Sequence, residues 1–217
     1  MPDNVNARTA ILNGIRSALR SPDDVDRIAS EYAAIPRAYK REGTLGREAL
    51  LELFVHRLRE YDAGVSRVAN EGISFEVARI LNARACKRMV IPDGVPANWL
   101  PDGFSFETAE DFDNYQLDRM DGVLTGCTVA IAETGSIVLQ HAPAQGPRIL
   151  SLVPDYHLCV VFADQVVETV PESFALLEAT SSLPTTFFSG PSATADIEMT
   201  RIKGVHGPRF LDVVLVG

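Results

Sequence analysis

The sequence predicts a three-layer α/β/α domain with a mixed, mostly parallel sheet and a helical N-terminal extension. Helical stripes alternate with short apolar strands after residue 43, which is the pattern of a parallel sheet covered by helices. A stretch over 123–140, charged only at Glu133, alternates with period two about a Gly-containing gap, which adds an antiparallel hairpin. A length of 217 residues suits one domain with an appendage.

Ile11, Ile15, Ala18 and Leu19 recur at helical spacing and predict a helix over about 7–20. Residues 26–43, with Ile35-Pro36-Arg37, read as an extended arm lying on its own domain or on a second subunit, so a homo-oligomer stays open. The division is therefore 1–43 for helix and arm, and 44–217 for the α/β domain. Leu51, Phe54, Val55, Leu58 and Tyr61 predict the next helix, 65–68 a strand, and Ile73, Val77, Ile80 and Leu81 another helix. Lys87–Ile91 is a strand stopped by Pro92; 92–106 is loop-rich, and a short helix fits 112–119. Strands follow at 127–132 and 136–139, then at Ile149–Val153, Leu158–Phe162, Thr185–Phe188 and Leu211–Val216. Pro171 opens a helix over 171–180, where its missing N–H costs nothing. A last helix is expected from Ser192, with Ala195, Met199 and Ile202 on one face and Gly204 as its cap.

The charge and the cysteines exclude several functions. A net charge of −9 and no basic run longer than two residues argue against nucleic-acid binding. The longest apolar stretch, Leu158–Ala163, is far short of the ~20 residues of a membrane span. The N-terminus has no apolar signal-peptide core, so a cytoplasmic protein is expected. Cys86, Cys127 and Cys159 are widely spaced without a C-x-x-C, so no iron–sulfur cluster, zinc site or other metal site is expected on this chain, and no bound cofactor is indicated.

Three places break the pattern of core and surface. Glu133, followed by Thr134-Gly135-Ser136, is a lone carboxylate at the end of an apolar strand. It could serve as nucleophile, base or substrate contact at a strand end, or simply be a turn residue facing water. Ser189-Gly190-Pro191-Ser192-Ala193-Thr194-Ala195-Asp196-Ile197-Glu198 is a strand-to-helix junction. Free N–H groups there could receive an anion, or Ser192 could be a plain cap with Asp196 and Glu198 at the positive end of the helix dipole. His206, between Gly204 and Gly207, is placed to reach a ligand or is a satisfied loop residue. No G-x-S-x-G, H-E-x-x-H, P-loop or G-x-G-x-x-G motif is present.

Taken together, Ala130–Val138, Ser189–Ser192 with Ala195-Asp196-Ile197-Glu198, and Gly204-Val205-His206-Gly207-Pro208 resemble the LUD-domain family. The resemblance runs from about Gly122 to the end and includes Ala10–Ile15 as an opening helix. It implies a fold similar to ribose-phosphate and glucosamine-phosphate isomerases and coenzyme A transferases. It also implies a subunit of a bacterial L-lactate-oxidising (oxidoreductase) system, the cluster-free member acting with iron–sulfur lactate utilization proteins that carry the clusters. On this reading Glu133 and His206 are the catalytic candidates. Thr134, Gly135, Ser136, Gly190, Pro191, Ser192, Thr194, Asp196, Glu198 and Gly207 would surround a small carboxylate. The alternatives are a stand-alone acyl- or CoA-transferase using Glu133, by analogy of fold, or a non-catalytic assembly module.

Overall fold

The computed structural model describes residues 4–19, 25–109, 112–195, 201–204 and 206–217. They fall into two compact units, Met1–Tyr39 and Lys40–Gly217. In the first, α1 (Asn4–Ala18) is the expected opening helix, and α2 (Val25–Ala34) is helix where an extended arm was expected. The physical reason is visible in retrospect: Val25, Ile28, Ala29 and Tyr32 recur at helical spacing, and Arg27 pairs with Glu31 one turn on at 2.6 Å. Among the described residues no helix is long and apolar enough to cross a membrane.

The second unit opens with α3 (Arg47–Glu60), β1 (Gly64–Val68), α4 (Ile73–Ala83) and β2 (Arg88–Ile91), in the order the spacing predicts. The segment expected to be loop contains β3 (Ser105–Thr108), a short edge strand beside β2. Next come α5 (Asn114–Asp118), held by a capping box between Asp113 and Gln116, and β4 (Gly122–Thr125). The hairpin is β5 (Val129–Ile131) and β6 (Ser136–Gln140), paired antiparallel. After β7 (Tyr156–Phe162) and β8 (Val166–Val167), α6 (Val170–Leu177) starts at a Thr169–Glu172 capping box with Pro171 in its first turn. The chain ends with β9 (Thr185–Ser189), β10 (Ala193–Ala195), β11 (Arg201–Lys203) and β12 (Phe210–Val216).

The central sheet runs β1-β12-β7-β4-β2-β3 and every pair in it is parallel. A second sheet, β8-β5-β6-β9, pairs β6 antiparallel with β5 and β9 and β5 parallel with β8, and β10 and β11 pair antiparallel apart from both sheets. One face of the central sheet packs through Leu158, Val160 and Val214 on Ile73, Val77 and Leu81 of α4. The other packs through Cys159, Val161, Val213 and Leu215 on α3 and on Ala130, Ala132 and Ile137 of the second sheet. The far face of that sheet, Val129, Ile131 and Val138, meets Leu177 of α6. Period two in β5 thus separates two buried faces, not one buried and one wet.

Two expected elements are different. Ile149–Val153 is not a strand, because Arg148–Ser151 form a 3-10 turn. Leu150 N–H donates to the Pro147 carbonyl, and Ile149, Leu150 and Val153 gather against Val90 and Val123 through turn-like spacing. The helix expected from Ser192 is replaced by the β10–β11 hairpin, with Ala193 opposite Lys203 and Ala195 opposite Arg201. Ser192 N–H donates to the Pro208 carbonyl at 2.8 Å, and Gly204 N–H to the Ser192 carbonyl at 2.9 Å. These bonds hold both ends of the segment side by side, which a helix of that length would separate. Gly204 is therefore a hairpin residue (φ +84°), not a helix cap.

Candidate functional site

The site forms where the chain leaves β9 and returns to β12. Ser189 ends β9, and Gly190 follows at φ +76°, where a Cβ would overlap Tyr61 Cβ. Only glycine takes this left-handed turn against α3 without strain. Ser192 then acts as the hub of the two loops. Besides its two backbone bonds to 204 and 208, its Oγ accepts the N–H of His206 at 3.0 Å. The Ser189–Ser192 and His206–Pro208 segments, separate in sequence, are thereby laced into one wall.

That wall closes a cavity of about 240 Å³, whose other lining includes Arg148 and Ser151 from the 3-10 turn, His157 of β7 and Leu211 of β12. Its size is below the roughly 300–1,000 Å³ typical of drug-sized ligands and suits a small organic acid. His157 and Leu211 are cross-strand partners near the starts of β7 and β12. The cavity therefore lies at the amino ends of these parallel strands, and not at the carboxyl ends where α/β sheets commonly bind ligands.

His157 is buried, lies tilted with its ring centroid 5.1 Å from that of Phe188, and shares a 2.8 Å hydrogen bond between Nε2 and Thr125 Oγ1. Burial, helped by the charge of Arg148, pushes its pKa down to about 3, so the imidazole is neutral near pH 7. The guanidinium of Arg148 donates from Nη1 to the carbonyl and hydroxyl of Ser151, at 3.3 and 3.2 Å. Ser189, which also lines the cavity, ends a chain of hydroxyls: Thr134 Oγ1 to Ser136 Oγ at 2.7 Å, and Ser136 Oγ to Ser189 Oγ at 2.6 Å.

Of the residues the sequence singles out, Gly190, Pro191, Ser192, His206 and Gly207 come together in the cavity wall. Thr134 and Ser136 reach it through the hydroxyl chain, and Gly135 makes the hairpin turn at φ +60° against Arg57 of α3. Thr194 lies in β10. Asp196 and Glu198 lie outside the described residues. Ser189 stands in the segment the sequence singles out, whereas Arg148, Ser151 and His157 are site residues that sequence reasoning misses. Only His157 carried a signal, as a polar ring inside an otherwise apolar strand.

Glu133 is not among the described cavity residues. Its carboxylate takes a 2.8 Å hydrogen bond from Lys40 Nζ, and Lys40 pairs also with the buried Glu168. Glu168 Oε2 accepts the N–H groups of Thr44 and Leu45 at 2.6 and 2.7 Å, so the cluster straps residues 40–45 to the start of α6. Lys40 first, and then these backbone donors, hold the Glu168 carboxyl below its ordinary value. A lowered pKa contributes stability that is complete above the ordinary glutamate value of about 4.3 and is lost as pH falls through the lower folded value. Glu168→Gln should therefore flatten the acid limb of a melting-temperature profile taken from pH 7 to 3. Parallel profiles for variant and wild type would remove this role.

The cysteines are free thiols, all buried. Burial raises Cys86 to about 11, and a hydrogen bond with Cys159 together with burial raises Cys127, so both stay protonated near pH 7. Among the described residues no group of three or more His, Cys, Asp or Glu is placed to hold a metal ion.

Known proteins are similar to this chain in sequence and fold. Lactate utilization protein C of Deinococcus radiodurans is 40% identical over 221 residues, covering 100% of this chain and 99% of that protein. Lactate utilization protein C of Macrococcus caseolyticus is 32% identical over 114 residues, 49% of either chain. The crystal structure of a DUF162 family protein from Deinococcus radiodurans superposes with a TM-score of 0.70 at 40% identity, over 80% of this chain and 100% of that one. The LUD domain model matches residues 51–216, from within α3 to the last residue of β12. By that match and the full-length relative, the chain belongs to the LUD domain family.

Proposed function

We propose that this chain serves lactate utilization, as the cluster-free component of a system that oxidises L-lactate to pyruvate. The observation that carries the reading is the 40% identity to a lactate utilization protein C along essentially the whole of both chains. The cavity agrees with it: it is sized for a small acid and has a guanidinium at its edge. Oxidising a 2-hydroxy acid removes two electrons and two protons, and the electrons are assigned to iron–sulfur partner proteins. The three buried cysteines of this chain, Cys86 and Cys127 among them held as thiols, are not arranged as cluster ligands. A covalent transferase role would need Glu133 free to attack a thioester. Its ion pair with Lys40 outside the cavity favours a structural part in the strap.

Deleting the gene is expected to abolish growth on L-lactate as sole carbon source, with growth restored by the same chain in trans. In extracts, lactate-dependent dye reduction should require this chain together with the iron–sulfur proteins that co-purify with it. Normal growth of the deletion strain, in a genome without a second copy, would refute the reading.

A further inference from the structure

We infer that the cavity binds a 2-hydroxy carboxylate and the matching 2-oxo carboxylate in one and the same position, Arg148 facing the carboxylate and His157 the oxygen on the adjoining carbon. The inference deepens the lactate-utilization reading and rests on it.

Arg148 is the charged anchor. Its described bonds both leave from Nη1 and go to Ser151, and among the described residues no carboxylate pairs with it. Nε and Nη2 are left as a donor fork at the edge of the cavity, the geometry that takes a carboxylate through two bonds.

His157 supplies the second contact, and its surroundings let it act in either sense. Its Nε2 is engaged by Thr125 Oγ1, so Nδ1 is the ring nitrogen left for a ligand; among the described residues Nδ1 has no partner. The Thr125 hydroxyl has two acceptors within reach, His157 Nε2 at 2.8 Å and Cys159 Sγ at 3.8 Å. When Thr125 donates to Nε2, the ring proton sits on Nδ1 and can be given to a ketone oxygen. When Thr125 turns its proton to Cys159, Nε2–H donates to Thr125, and Nδ1 accepts from an alcohol. Neither state leaves a buried donor stranded, so the exchange avoids the desolvation cost of an unmet polar group. A charged imidazolium could only donate. The strong lowering of the His157 pKa keeps the ring neutral and so keeps both senses available. Ser189 in the cavity lining has the same property, because either oxygen can be the donor in each link of the Ser189–Ser136–Thr134 chain. An alcohol and its ketone differ at this position by exchanging a donor for an acceptor, which is the change these groups can follow.

The test measures dissociation constants of L-lactate, pyruvate and propionate for the purified full-length chain, by calorimetry or ligand-observed NMR. Propionate keeps the carboxylate but lacks the second oxygen. Lactate and pyruvate should bind within about threefold of each other and both about tenfold or more tighter than propionate, the worth of one good hydrogen bond. Arg148→Ala should weaken all three by about tenfold or more. His157→Phe should bring lactate and pyruvate down to the propionate value while leaving propionate unchanged, which also shows an intact fold. His157→Gln, whose amide presents either an N–H or a C=O, should keep part of the gap. Lactate bound no tighter than propionate, a His157→Phe variant that weakens all three acids alike or none of them, or no binding of any acid would each overturn the inference. Growth on lactate is a separate readout: a deletion phenotype without direct acid binding sinks this inference alone, whereas normal growth sinks the reading beneath it.

Discussion

Replacing Gly190 with valine is expected to destabilise the Lys40–Gly217 unit by about 2–5 kcal/mol and to abolish small-acid binding. Two costs add. A β-branched residue at φ +76° is forced into the left-handed region, worth on the order of 1–3 kcal/mol. The new Cβ also overlaps Tyr61 Cβ and stands 3.2 Å from the Tyr61 carbonyl oxygen. Tyr61 caps the C-terminus of α3, so the clash is with anchored backbone and not with the free end of a flexible side chain. Relief requires moving the 189–192 segment, and with it the hub bonds from Ser192 to Gly204, His206 and Pro208. Urea unfolding and lactate titration of the same preparation check both halves. An unfolding free energy within about 0.5 kcal/mol of wild type would show that the turn tolerates a side chain.

Truncating Phe54 to alanine should cost about 3–5 kcal/mol and lower the melting temperature by roughly 10 °C. Phe54 is fully buried, in one cluster with Ala130 of β5, Ala132 just beyond it, Ile137 of β6 and Leu211 and Val213 of β12. The small alanines in the cluster cannot grow into the hole once the ring is gone. The loss is expected to spread to the site, because the Gly135 turn backs directly on Arg57 and Leu58 of the same helix. A loosened α3 frees the turn from which Thr134 and Ser136 reach Ser189. Thermal melts followed by circular dichroism give the size of the effect; a change under about 1 kcal/mol would mean that the cluster collapses to close the cavity.

Much of the fold is legible in local spacing. Leu51, Phe54, Val55 and Leu58 of α3, and Ile73, Val77, Ile80 and Leu81 of α4, all turn out buried, because a helix face is set by residues three and four apart and needs no knowledge of its partner. The β5–β6 hairpin was readable for the same reason, its two apolar runs standing either side of a glycine that takes φ +60°. Part of the cavity wall was readable too, since Gly190-Pro191-Ser192 and His206-Gly207 stand out as residues with no use in a plain core. The spacing of Ala195 and Ile202 misled because it fits a helix, whereas the Ser192 and Gly204 backbone bonds decide for a hairpin.

What the amino-acid order determined by itself is therefore most of the helices, most of the strands and the two glycine-bearing loops, all features whose causes lie within a few residues of one another. The tertiary structure alone decided that Lys40 pairs with Glu133 and with Glu168 across 93 and 128 residues of chain, that the cavity opens at the amino ends of β7 and β12, and that Arg148 and His157 line it. The physical reason is the same in each case. A charge or an imidazole takes its role from what desolvates it and what hydrogen-bonds to it, and those neighbours are brought in by strand order, which no local periodicity encodes.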